Sequence, residues 1–178
     1  EPTLDRIRAL GRPEILVVPQ HLHAMDAHAF RERLGVKVFA PAAGRARVEE
    51  RVRVEGTLEE VPADPDVEVR TVAGFRTGEG FLVVRSGPRT SLVVADVVLN
   101  VPDGPGVDGL VFRLLGMTGP EPRLPLMVRL RVLGDKEALR AQLGELARLP
   151  GLARIVTSHG ANVSRDPAGV LCRIAAGL

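Results

Sequence analysis

Four histidines occur in the chain, and His21 and His23 stand directly after the apolar run Ile15-Leu16-Val17-Val18. Side chains at i and i+2 of an extended segment point the same way, so this pair could hold one metal ion. Asp96 interrupts another apolar run, Leu92-Val93-Val94-Ala95-Asp96-Val97-Val98-Leu99. A carboxylate buried there without a partner would cost several kcal/mol. It must therefore be paired, hydrogen-bonded, metal-bound or at an exposed strand end. His159, in Ser158-His159-Gly160, closes a third apolar segment, and the glycine allows close backbone approach.

Each feature alone has a plain alternative. A His-x-His pair is commonly incidental, Asp96 could bond to nearby backbone, and a histidine after a strand is commonly a surface residue. Taken together, three strand ends deliver side chains able to hold one divalent metal ion, with zinc the first choice and iron or manganese as alternatives. Asp26, close after the histidine pair, is placed to cap a helix. Glu79, just before an apolar run, is a candidate acid behind the site, and a solvated strand end is its simpler account. His28 falls early in that same helix, where exposure is expected.

The elements that must position these residues follow from hydrophobic periodicity. Leu4, Ile7 and Leu10 recur at helical spacing, and residues 14–18 read as a short buried strand. A helix over 27–34 ends at Gly35, and a second strand covers 36–40. Helix–strand alternation of this kind predicts a layered α/β protein with at least one parallel pairing. Residues 67–72 alternate with period two, and the segments 80–85 and 90–98 flank Ser86-Gly87-Pro88-Arg89 as a hairpin. The Gly- and Pro-rich stretch 103–125 carries the apolar run Leu110–Leu115, an excursion with a short helix. A strong helix over 136–149, a strand over 153–157 and a helix over 167–176 complete the chain.

Composition excludes several classes. The 178 residues suffice for one domain with a real core, and 24 basic against 22 acidic residues leave no concentrated basic stripe. With no Trp or Tyr and five Phe, a nucleic-acid partner is not expected. Cys172 is the one cysteine, so no intrachain disulfide forms, and its apolar neighbours suggest a buried thiol. No apolar stretch is long enough to span a membrane, and the first residues lack the features of a signal peptide, so a cytoplasmic location is expected.

Gln20-His21-Leu22-His23-Ala24-Met25-Asp26-Ala27-His28, Val94-Ala95-Asp96 and Ser158-His159-Gly160 resemble, in order and spacing over residues 14–165, motifs of the metallo-β-lactamase superfamily. The resemblance implies one domain, 1–178, built as an αββα sandwich with its usual N-terminal strands missing before Glu1. It also implies a metal site from His21, His23, Asp96 and His159. The sequence departs from the family pattern at Met25 and Asp26, where an Asp and a His would stand, and at Phe75, which replaces the His of a Gly-His element. The ligand set is thus reduced, and two complete metal sites are not expected.

Two readings follow. One is a metal-dependent hydrolase of a small-molecule ester, thioester, amide or phosphodiester, in which Asp96 or Asp26 would orient the attacking water or take its proton. The other is a non-catalytic, metal-free relic of the fold that serves as a ligand- or protein-binding module. Either allows a homodimer through Leu110–Leu115 and Pro125–Val128.

Overall fold

The computed structural model describes residues 2–178. The first half of the chain builds a three-stranded parallel sheet. Helix α1 (Pro2–Leu10) leads into β1 (Ile15–Val17). Helix α2 (Ala27–Leu34) then ends at Gly35, whose φ of 68° is the left-handed turn that only glycine adopts cheaply. Next come β2 (Lys37–Ala40), the short helix α3 (Arg45–Glu49) and the two-residue strand β3 (Gly56–Thr57). The strand order is β1-β2-β3, which leaves β1 at an edge. Ile15 is exposed and Leu16 and Val17 are half-buried, so β1 is not the fully buried strand that its composition suggests. Val18, Val38 and Ala40 pack with Ala24, Ala27 and Val48 in a small core beneath α2 and α3.

The second sheet is mixed. Strands β4 (Val67–Thr71), β5 (Gly80–Ser86) and β6 (Arg89–Val94) form an antiparallel meander, and β7 (Leu152–Thr157) adds to β6 in parallel. The hairpin between β5 and β6 turns at Gly87, with φ 55°. Between β6 and β7 lie α4 (Gly106–Leu114), α5 (Leu126–Arg131) and α6 (Lys136–Ala147), and α7 (Pro167–Ala176) ends the fold. Asp135 caps α6 by accepting a hydrogen bond from the Ala138 N–H. Leu139, Leu143 and Leu146 then present one stripe to the larger core, with Phe81, Val83, Leu92 and Ile155 of the sheet and Val170, Leu171 and Ile174 of α7.

The architecture is therefore αββα, with α2 and α3 outside one sheet and α6 and α7 outside the other. Where the sheets meet, the Gly80 N–H donates to the Pro19 carbonyl at 2.7 Å. A Cβ on Gly80 would fall 2.6 Å from Leu58 Cδ1, so a larger residue there requires the Leu58 side chain to shift. No helix among the described residues is long and apolar enough to cross a membrane.

Two local expectations are corrected. Cys172 is exposed rather than buried, because α7 turns its Leu171 and Ile174 face inward and leaves residue 172 on the outer side. Phe75, at the position where the resemblance implied a histidine, belongs to the larger core and bridges to Leu133.

Candidate metal centre

Strand register gathers the site. β6 and β7 run parallel with Val94 opposite Thr157, so Asp96 and His159 emerge at the same sheet edge, each just past its strand. The strand containing Asp96 stops at Val94, earlier than its apolar run suggests, and the carboxylate stands at the strand end. Ser158 Oγ donates to the Ala95 carbonyl at 3.1 Å, tying the two loops together. Gly160, with φ 87°, brings the His159 loop against Asn100, where a Cβ would meet the Asn100 carbonyl oxygen at 1.9 Å. β5 is antiparallel to β6, so Glu79, just before Gly80, comes to the same edge. The Pro19–Gly80 bond brings the end of β1, and with it Gln20 and His23, to complete the group.

His23, Asp96 and His159 each offer one ligand atom, and the three atoms lie within 4.8 Å of one another. Asp96 Oδ1 is 3.5 Å from His23 Nε2 and 3.4 Å from His159 Nε2. These separations are longer than good N–H···O hydrogen bonds. Two donors each about 2.0–2.1 Å from one tetrahedral ion would sit roughly 3.3–3.4 Å apart. The imidazole rings meet at 61° with centroids 5.5 Å apart, so each keeps its own approach to the space between them. Two imidazoles and one carboxylate are the donor chemistry of a three-ligand catalytic zinc site. The residues present fit a divalent metal ion.

Behind the trio stands a polar pair that sequence reasoning did not assemble. Gln20 and Glu79 are both buried, at 4 % and 1 % exposure. Gln20 Nε2 donates to Asp96 Oδ2 at 2.5 Å and lies 3.4 Å from Glu79 Oε2. With Oδ2 so held, Asp96 keeps Oδ1 for the two histidines. Glu79 Oε1 accepts the Val97 N–H at 2.9 Å, which fixes the turn carrying Asp96. Burial pushes the Glu79 carboxyl up to about 8; the Val97 N–H opposes that rise, and the nearby Asp96 charge adds to it. The solvated strand end expected for Glu79 is thus overturned. The one signal in the sequence was an acid confined between Gly78 and Gly80, followed at once by a buried strand.

His21 lies outside the trio. Residues 21–23 form a turn of 3-10 helix, not an extended segment. At about 120° per residue, positions i and i+2 diverge, and the shared direction expected of His21 and His23 is lost. His21 has Arg47 and Glu50 of the α3 region as its charged neighbours, and burial followed by the Arg47 charge lowers its pKa. Its Nδ1 is buried without a hydrogen-bond partner. Asp26 occupies the position before α2 but makes no side-chain cap, and it is exposed beside a cavity that His23 and His159 also line. It is not among the three clustered ligands. His28 is exposed, as expected.

No protein-family model and no curated protein matches the sequence. Solved structures do match in fold. A structure of the DIM-1 metallo-β-lactamase exposed to ceftazidime superposes with a TM-score of 0.61 at 14% identity, covering 99% of this chain and 74% of the other. A metallo-β-lactamase from Hirschia baltica gives 0.53 at 14% identity over 91% of this chain and 68% of its own. One from Erythrobacter litoralis, with β-mercaptoethanol in its active site, gives 0.53 at 12% identity over 93% and 68%. The αββα layers, the strand-edge cluster and these superpositions agree: this chain has the metallo-β-lactamase fold.

Proposed function

We propose that the chain is a metal-dependent hydrolase with a single metal centre held by His23, Asp96 and His159. The observation that carries this reading is the spacing of the three donors, which suits a shared ion better than hydrogen bonds among themselves. The neighbouring structures support it in kind, since each is a metallo-β-lactamase. Zinc suits the donor set best, and iron or manganese are accepted by the same residue types.

His23, Asp96 and His159 would hold a divalent ion that would supply Lewis acidity for hydrolysis of an ester, thioester or amide. The chain's own residues set the conditions. The Gln20 amide orients Asp96, the kind of outer hydrogen bond that fixes a ligand's direction. Glu79 Oε1 accepts the Val97 N–H and so holds the turn that carries Asp96. Asp26, exposed in the neighbouring cavity that His23 and His159 also line, is the second candidate after Asp96 for orienting the attacking water.

The test is a panel of chromogenic esters, thioesters, amides and phosphodiesters assayed before and after reconstitution with Zn, Mn or Fe. The reading predicts activity that appears with metal and falls at least about 10²-fold in Asp96→Ala. Activity that ignores chelators, or survives in Asp96→Ala, would overturn it. A reconstituted protein inactive on the whole panel favours the metal-free binding module, for which the burial of Phe75 in place of a ligand is the supporting observation.

A further inference from the structure

A cavity of about 490 Å³ opens beside Asp96 and His159, well within the range of small-molecule sites. Its polar groups belong almost entirely to one patch, Gln20, Glu79, Asp96 and His159, already joined by hydrogen bonds and close contacts. The remaining wall is apolar and mostly aliphatic, formed chiefly by Leu99, Val101, Phe112, Met117, Met127 and Val132. Thr118 also lines it, but its hydroxyl is committed to Asp103 Oδ1 at 3.0 Å. Among the described residues, Arg131 is the wall's one permanent cation, and it is exposed.

This wall is built by the excursion between β6 and α6. Leu99 and Arg123 exchange backbone hydrogen bonds, and the Gly119 N–H donates to the Val101 carbonyl, so the excursion has a fixed base. Above that base, α4 and α5 leave large apolar side chains in water beside the cavity, with Phe112 at 46 % and Met127 at 39 % exposure. Apolar surface placed against a polar reactive patch gains stability when a ligand covers it. The chemistry of the wall selects that ligand. A sugar or nucleotide would find few free hydrogen-bonding groups there, and a phosphodiester would find a single cation. One aromatic ring is no stacking platform, whereas methionines and aliphatic side chains adapt to a flexible chain.

We propose that this cavity is an apolar-chain pocket and that the substrates are esters, thioesters or amides of straight-chain acyl groups, seated with the acyl carbonyl at the Asp96–His159 edge. The assignment of substrates rests on the hydrolase reading above; the pocket's preference for chains rests on its wall alone.

The experiment has two arms. In the first, chelator-treated protein is titrated with straight-chain primary alcohols from butanol to decanol, which displace the fluorescent probe 1-anilinonaphthalene-8-sulfonate. Affinity is expected to rise two- to fourfold per methylene, fourfold corresponding to about 0.8 kcal/mol. The gradient is expected to collapse in Phe112→Asp and in Met127→Glu, whose half-exposed positions let both variants fold, as circular dichroism would check. In the second, metal-loaded protein is assayed on p-nitrophenyl esters from acetate to octanoate, with kcat/KM rising with acyl length. Equal affinity for all alcohols, or a gradient untouched by both substitutions, overturns the pocket. Ester rates independent of length overturn the substrate assignment. A retained alcohol gradient with no hydrolysis at any length sinks the hydrolase reading and the substrate assignment with it, while the pocket stands.

Discussion

Replacing Glu79 with glutamine tests the electrostatics behind the site without touching a ligand. In the folded protein the Glu79 carboxyl titrates at about 8, against 4.5 for the ordinary group. The folded state therefore holds a proton that the unfolded chain releases above pH 4.5. This group's contribution to stability is full below 4.5, falls as pH rises and is lost by about 8. At about 1.4 kcal/mol per pH unit the window corresponds to roughly 5 kcal/mol, an upper figure that relaxation and water entry reduce to about 2–3. The substituted amide would keep the acceptor for the Val97 N–H and carry no charge at any pH. Urea unfolding of chelator-treated wild type and Glu79→Gln at pH 5, 6.5 and 8 isolates the effect as a difference between the two proteins. The variant should gain about 2–3 kcal/mol on wild type between pH 5 and 8. Parallel stability profiles would refute the reasoning, since a carboxylate ionised on both sides of folding has no such slope.

Other substitutions probe the remaining contacts. Gln20→Ala releases Asp96 Oδ2 and should weaken metal binding by about 10–100-fold in a competition titration with a chelating dye. Gly160→Ala places a Cβ against the Asn100 carbonyl at a left-handed φ, so both melting temperature and metal affinity should fall together. Leu143→Ala, at 1 % exposure in the larger core, should cost about 2–5 kcal/mol in chemical denaturation. Phe75→His should destabilise the fold by about 1–3 kcal/mol without raising metal stoichiometry, because the side chain is packed in the larger core.

The fold was legible where periodicity was strong. The helix over 27–34 and the final helix agree with the structure, and the 80s hairpin and its parallel partner strand emerge with small changes of boundary. The short elements between residues 42 and 60 were not legible, because a strand such as Gly56–Thr57 exists only through its pairing with β2. Asp96 and His159 could be found because each follows an apolar strand whose end is marked by a polar residue. His21 and His23 could not be told apart, since two residues in sequence do not distinguish an extended segment from a 3-10 turn, and the turn decides which ring reaches the cluster. Gln20 and Glu79 meet through segments 59 residues apart, so their shared burial is a tertiary property with no local pattern. The outward turn of Cys172 is similar: its neighbours are apolar, and only the packing of α7 shows which face is inside.

A metal ion seated on His23, Asp96 and His159, as proposed, does not depend on His21. Elemental analysis of untagged protein after reconstitution, for wild type, His21→Ala and a His23→Ala, His159→Ala double variant, tests it directly. Roughly one Zn, Fe or Mn per chain is expected in wild type and in His21→Ala, with loss of that metal in the double variant. Metal lost in His21→Ala, retained in the double variant, or absent from reconstituted wild type would contradict it.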